Sequence, residues 1–246
     1  MGRDWLALAI GNSRLHWGWF DGDRPREFFY TPHLSEPLSI ARLRSILPFT
    51  LDYSGIPLVI ASVVPPQTEL CLACPESRTL ALKDVPLEGL YPTLGIDRAL
   101  VALATGDKYG FPCLAIDAGT ALTFTAIDGE RRFAGGAILP GIGLQSRSLA
   151  GGTAALPAIA LPEELPPLWG KDTAGAIASG ILHATIAAID RFTRDWRELY
   201  PTGAIAITGG DALRISRFLT TLGKTGAIVR DDTLLFRGIA IAVGAI

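Results

Sequence analysis

The chain has 246 residues, with 22 basic and 24 acidic side chains and a formal charge of −2. Hydrophobic residues make up 49% and charged residues 19%, which excludes global disorder and supplies enough apolar surface for a sizeable core. The near-neutral balance gives no electrostatic reason to expect nucleic acid or an anionic membrane as a partner. The apolar run over 238–246 is far short of the ~20 residues of a membrane span, so no membrane partner is expected. Three cysteines, Cys71, Cys74 and Cys113, are too few for a disulfide framework. Cys71 and Cys74 form a C-x-x-C with no further zinc ligands nearby, and Pro75 follows at once. They read as buried or incidental thiols. With no visible targeting segment, the expected location is the cytoplasm.

In chain order, residues 6–10 read as a strand that ends in the turn Gly11-Asn12-Ser13. A second strand covers 15–20 and closes on Asp21-Gly22. Residues 57–64 form a buried type of strand stopped by Pro65-Pro66, and 98–104 have helix-forming composition. Strands follow over 112–116, 122–127 and 133–139. Residues 172–196 read as a long helix capped by Asp172 or Thr173, with Ile177, Ile181, Ala184 and Ala188 at helical spacing. A strand at 204–208, a helix at 212–222 ended by Gly223 and a final helix at 235–245 complete the chain. Strand–turn–strand pairs mixed with crossover helices indicate an α/β fold whose sheets are not all-parallel. The proline-rich stretch from Pro157 to Pro167 reads as a surface excursion.

Two segments look alike. Ala9-Ile10-Gly11-Asn12-Ser13 and Asp117-Ala118-Gly119-Thr120-Ala121 align at an offset of 108 residues, and the Asp-Gly turns that follow match at 107. An offset near half the chain implies a duplicated domain, with the second copy starting near Phe111.

Three small-residue turns follow apolar strands: Gly11-Asn12-Ser13, Asp117-Ala118-Gly119-Thr120 and Thr208-Gly209-Gly210-Asp211. Glycine lets a phosphate approach backbone N–H groups, hydroxyls add donors, and aspartate can hold a cation or a water. The alternative is three ordinary turns. No Walker A, G-x-G-x-x-G or G-x-S-x-G motif follows a strand, which disfavours P-loop, Rossmann and nucleophile-elbow chemistry. His16, His33 and His183 have no partners at metal or triad spacing and read as structural or surface residues. Tyr91 to Arg98 places Asp97 near the start of a helix, where it is either a cap or a carboxylate that accepts a proton from a substrate hydroxyl. Arg98 can fix an anionic substrate by a bidentate bond.

These motifs, in this order, carry a resemblance. Together with Ile60-Ala61-Ser62-Val63-Val64-Pro65, Gly135-Gly136-Ala137-Ile138-Leu139-Pro140-Gly141, and Thr173 with Gly180, the chain resembles the type III pantothenate kinases. These belong to the acetate and sugar kinase/Hsp70/actin superfamily. The resemblance implies two ribonuclease H-like (actin-like ATPase) domains, 1–110 and 111–246, with mixed sheets flanked by helices and ATP between them. It implies ATP-dependent phosphorylation of pantothenate to 4′-phosphopantothenate, with Asp97 as general base. Tyr91, Gly95, Ile96, Asp97, Arg98 and Thr173 would match the pantothenate-binding positions. Ala9, Ile10, Gly11, Asn12, Ser13, Arg14, Leu15, His16 and Thr120 would match ATP contacts. Asp117 would match the ligand of an activating monovalent cation, K⁺ or NH₄⁺, and Mg²⁺ would come with ATP. The family is typically a cytoplasmic homodimer. Its first turn usually reads Asp-x-Gly-Asn-Thr/Ser, but the acidic position here is Ala9. Two alternatives stay open: a catalytically weak relative acting as a transcription accessory factor or nucleotide-binding module, and a phosphohydrolase on the same fold.

Overall fold

The computed structural model describes residues 4–48, 55–224 and 228–246. Its contacts divide the chain into two units, Met1–Ala104 with Thr233–Ile246, and Thr105–Asp232. The sequence placed a boundary at residue 110 and assigned everything after it to the second domain. The contacts instead divide the chain inside a helix and place the C-terminal segment with the first unit.

The first unit opens with an antiparallel meander of β1 (Asp4–Ile10), β2 (Leu15–Asp21) and β3 (Arg24–Thr31). After α1 (Ile40–Ile46), β4 (Leu58–Ser62) pairs parallel to β1. Then come α2 (Pro65–Leu72) and β5 (Ser77–Thr79), parallel to β4. The sheet order is β3-β2-β1-β4-β5. The prolines at 65 and 66 do more than stop β4. They begin α2, where a missing N–H costs nothing and φ is already helical.

β1 is buried on both faces, which explains its near-continuous apolar run. Leu6, Leu8 and Ile10 meet Leu15, Trp17, Leu58 and Ile60 on one side. On the other side the final helix α7 (Leu234–Ala242) supplies Phe236, whose ring stacks on Phe28 at 4.6 Å. A methyl at Gly18 would lie 2.8 Å from that ring, so glycine is what admits it. Gly238 lets α7 touch the backbone of α3 (Ile96–Tyr109), since a methyl there would lie 2.2 Å from the Leu100 carbonyl oxygen. These contacts hold the C-terminal helix in the first unit.

The second unit repeats the plan. β6 (Cys113–Ala118), β7 (Ala121–Ile127) and β8 (Phe133–Pro140) form an antiparallel meander. α4 (Ile142–Gly152) and α5 (Thr173–Leu199) lead to β9 (Ala204–Thr208), parallel to β6. α6 (Ala212–Thr221) leads to β10 (Ile228–Arg230), parallel to β9. The order β10-β9-β6-β7-β8 is that of the first sheet, strand for strand. The one-residue slip in the repeat has a structural cause. Ile10 pairs with Leu15 across residues 11–14, whereas Ala118 pairs with Leu122 across 119–121, so the second turn is one residue shorter.

Asp172 caps α5, accepting the Gly175 N–H at 2.7 Å. By length and composition α5 could cross a membrane. Its stripe of Ile177, Ile181, Ile186, Ile189 and Trp196 instead packs on Ile116, Phe124 and Ile207, the work of a core helix.

Candidate functional site

In each unit the candidate turns follow the carboxyl ends of the central parallel strands, β1 in the first and β6 and β9 in the second. That is where ligands bind in open α/β sheets.

In the first unit, Gly11 N–H donates to the Arg14 carbonyl at 3.1 Å and closes the turn after β1. His33 Nε2 lies 2.9 Å from the Gly11 carbonyl oxygen, which can only accept, so that nitrogen is the donor. Asn12, Ser13 and Arg14 are exposed, while Ala9, Ile10 and Leu15 are buried and His16 is half-buried. His33 supports the turn from 22 residues away, a role its local sequence does not signal.

Val63, just past β4, donates its N–H to the Ile10 carbonyl at 3.1 Å. A methyl at Gly95 would lie 3.7 Å from Val63 Cγ1 and 2.5 Å from Asp97 Oδ1. Gly95 therefore leaves room for the Asp97 carboxylate and sets it beside the ends of β1 and β4. Asp97 is the second residue of α3, in its first turn, and its Oδ1 accepts the Arg98 N–H at 2.8 Å. Burial pushes its pKa above the ordinary carboxylate value, opposed by that N–H and by the Arg98 charge. Ile96 is buried. The Arg98 guanidinium is buried too and donates to the Tyr91 hydroxyl at 3.1 Å, and Tyr91 is exposed. The first turn, Asp97, Arg98 and Tyr91 are thus all placed within one unit.

In the second unit, Asp117 lies near the end of β6, in register with Thr123 of β7 and Thr208 of β9. Gly209 has φ +99°, and a methyl there would lie 2.4 Å from Asp117 Oδ1 and 2.6 Å from the Ala118 carbonyl oxygen. Only glycine tolerates both the backbone angle and the close carboxylate. Gly141 N–H donates to the Thr120 carbonyl at 2.9 Å, and a methyl on Gly141 would lie 2.1 Å from the Gly119 carbonyl oxygen. The Asp211 N–H ties the third turn to the Ala118 carbonyl at 2.9 Å. Asp117, Thr120 and the Gly209 turn therefore form one assembly.

Thr173 opens α5. It borders a groove of about 750 Å³ with Pro140, Gln145, Leu149, Leu156 and Ile177. Gln145 is its fixed amide, held by the Pro140 carbonyl at 2.8 Å and the Thr185 hydroxyl at 3.2 Å. A smaller hollow of about 200 Å³ lies between the starts of α4 and α6, lined by Ile142, Ile159, Arg147 and Asp211 among others. Among the described residues no group of three or more His, Cys, Asp or Glu could hold a metal. Cys71 and Cys74 are buried free thiols, as is Cys113.

The profile of the family described as Type III pantothenate kinase matches residues 5–195. A Synechocystis sp. protein named type III pantothenate kinase is 43% identical over 240 residues, covering 97% of this chain and 90% of its own. A Gloeobacter violaceus protein of the same name is 43% identical over 245 residues, covering 97% of each. Among solved structures, a Campylobacter jejuni protein described as a Baf family transcriptional activator superposes with a TM-score of 0.64 at 20% identity, covering 97% of each chain. The activator of 2-hydroxyisocaproyl-CoA dehydratase from Clostridium difficile, with ADPNP bound, gives 0.53 at 10% identity, covering 98% of this chain and 92% of its own. At these identities the two structures speak to fold alone, and the fold is the duplicated actin-like one.

Proposed function

The chain belongs to the type III pantothenate kinase family, and from that premise we propose that it transfers the γ-phosphoryl group of ATP to the primary hydroxyl of pantothenate. The product is 4′-phosphopantothenate, the first intermediate on the route to coenzyme A. The observation that carries the reading is Asp97, a carboxylate of raised pKa that Gly95 seats at the ends of β1 and β4, beside a buried arginine. In this role Asp97 takes the hydroxyl proton, a contribution typically worth ~10²–10⁴ in rate.

Arg98, oriented by Tyr91, suits the carboxylate of pantothenate. Ile96 and Gly95 shape the wall around Asp97, and in the second unit Thr173 offers a hydroxyl at the edge of an apolar groove of the kind pantothenate suits. For the ATP phosphates the first unit offers the turn within Ala9 to His16, where Asn12, Ser13 and Arg14 are exposed, and the second unit offers the Thr120 hydroxyl. The hollow at Arg147 and Asp211 suits a nucleoside, with Ile142 and Ile159 for the base and the carboxylate for ribose hydroxyls.

ATP brings a divalent metal in kinases of this kind. With a methyl at position 9, the first turn offers that metal no carboxylate there. Mg²⁺ keeps several waters and takes few protein ligands, so the residues fit a metal held by the phosphates. Asp117, with the space left by Gly209, suits a K⁺ or NH₄⁺ ion. Both ions, when bound, offset phosphate charge in a transfer that is mostly positioning and neutralisation.

We read the working form as a homodimer. Ile138, Leu168 and Trp169 are 64%, 57% and 83% exposed. They lie on β8 and on the segment leading into α5, the elements that border the Thr173 groove. A cytoplasmic location agrees with three reduced thiols. The test is incubation with pantothenate, ATP and Mg²⁺, followed by mass spectrometry. ATP-dependent 4′-phosphopantothenate is the expected result, and its absence from folded protein would refute the reading.

A further inference from the structure

The groove and the hollow of the second unit share a wall. Residues three and four apart lie on one face of a helix. On α4, Gln145, Ser148 and Leu149 line the groove, whereas Ile142, Ser146 and Arg147 line the hollow. The helix therefore presents one side to each cavity. After α4 the chain runs as a strap, residues 153–172, with neither helix nor strand until α5 begins. Segments of more than ~12–15 residues without secondary structure are uncommon in compact domains, and those that occur often serve a site. Leu156 of the strap lines the groove, and Ile159 and Leu161 line the hollow. One short stretch of it thus closes onto both cavities.

Irregular backbone has no ladder of its own, so side chains hold the strap. Leu156, Ile159, Leu161 and Leu165 pack against the core of the unit. Towards α5, the Ser179 hydroxyl donates to the Leu168 carbonyl at 2.5 Å, and His183 Nε2 donates to the Pro166 carbonyl at 3.0 Å. Glu163 pairs with Arg214, which also lines the hollow. Between the cavities the link comes from α4 itself. Ser146 is 5% exposed, and its hydroxyl donates to the Ile159 carbonyl at 3.1 Å. A ligand in either cavity bears on this same helix and strap. Once one ligand has ordered the wall, the second pays less to bind. The bond from Ser146 to Ile159 makes α4 and the strap order together.

We propose that Ser146 is a positioning residue that couples the two cavities. Through the Ile159 carbonyl it makes α4 and the strap one wall, so that a nucleotide in the hollow tightens the acceptor in the groove, and the reverse. The inference rests on the nucleoside reading of the hollow and the acceptor reading of the groove.

The test is calorimetric binding of the non-hydrolysable analogue AMPPNP, alone and with saturating pantothenate, and of pantothenate, alone and with saturating AMPPNP. In wild type each ligand should tighten the other at least about fivefold, by equal factors, as linkage requires. Ser146→Ala should cut that factor below about twofold. Ser179→Ala removes a bond of the same kind from the far end of the same strap. It should lower the melting temperature and keep the factor. If Ser146→Ala does not fold, Ser146→Cys, close in size and a weak donor, is expected to show the same loss. Hydrogen exchange adds a readout that needs no pantothenate. Saturating AMPPNP should slow exchange over residues 153–161 at least about threefold in wild type, and not in Ser146→Ala.

Ligands that bind wild type independently would overturn the proposal. So would a factor that survives in Ser146→Ala, or one lost equally in Ser179→Ala, the mark of a strap that is merely loosened. AMPPNP that binds without slowing exchange over 153–161 would overturn it too. Slowing that depends on Ser146, in a protein that binds no pantothenate, would instead overturn the pantothenate reading and leave the shared wall standing.

Discussion

The two units share a sheet order and strand directions, yet they place different chemistry at the same strand ends. The first ends its central strands in Ala9, His16 and Ala61, with Asp97 arriving on α3. The second ends them in Asp117, Thr123 and Thr208. Each unit nevertheless seats its carboxylate by the same device, a glycine with no room for a methyl. That methyl would lie 2.5 Å from Asp97 Oδ1 at Gly95 and 2.4 Å from Asp117 Oδ1 at Gly209. Duplication has kept the scaffold, and side chains at a few strand ends divide the labour. On the proposed function, a proton acceptor sits in one copy and a cation ligand in the other.

The largest expected effect breaks that division in the first unit. Asp97→Asn should lower kcat by ~10²–10⁴ while AMPPNP binding persists. Wild-type turnover in this variant would end the assignment. The same variant carries a stability signature. The folded-state pKa of Asp97 is raised, so on raising the pH the unfolded chain loses this proton first. Wild-type stability therefore falls as pH rises from the ordinary carboxylate value through the folded one. Asp97→Asn should lack this fall and melt at a higher temperature than wild type at pH 7, as seen by calorimetry. The wild-type acid limb of kcat/KM should likewise lie above the ordinary carboxylate range.

Next in size is the contrast between glycines. Gly209→Ala meets both a positive φ and the Asp117 carboxylate, and should cost ~1–3 kcal/mol or more. At Gly11 a methyl meets only the Arg14 carbonyl oxygen, at an ordinary 3.7 Å, so Gly11→Ala should change stability by less than about 1 kcal/mol. Denaturant unfolding of both variants checks the pair, and equal losses would contradict it. His33→Ala removes the donor to the Gly11 carbonyl and should cost ~1–2 kcal/mol, with a few-fold rise in the KM for ATP.

The smallest effect concerns the thiols. Burial, aided by Cys74, pushes Cys71 up to about 12, and burial alone brings Cys113 to about 12. Burial raises Cys74 too. Iodoacetamide at pH 8 should leave folded protein unlabelled and fully active, and label all three cysteines only after denaturation.

Much of this was legible in the sequence. The hairpins at 6–20 and 112–127, the long capped helix α5 and the repeat all follow from apolar runs, turn residues and caps. Even the one-residue slip of the repeat was visible, although only the register shows that it comes from a shorter turn. What escaped has physical reasons. β3 is an edge strand, mostly exposed and starting Arg-Pro-Arg-Glu, so it lacks an alternating apolar face. α4 carries glycines and serines of poor helix propensity, and tertiary packing of Ile142 and Ser146 decides it. β5 and β10 have three residues each, too short for any periodicity. At the site, the turns and Asp97 were read from local spacing. The Gly95 and Gly209 seats, the Tyr91–Arg98 bond and the support from His33 depend on residues that only folding brings together.

The division of labour between the copies is tested most directly by one assay. Product formation from pantothenate, ATP and Mg²⁺ would be followed by mass spectrometry while KCl or NH₄Cl replaces choline chloride, for wild type and Asp117→Asn. A cation ligand in the second unit predicts 4′-phosphopantothenate from wild type only with K⁺ or NH₄⁺, and a response to the cation that is lost in the variant. Equal product in choline chloride, or an unchanged cation response in Asp117→Asn, would contradict the role given to the second unit.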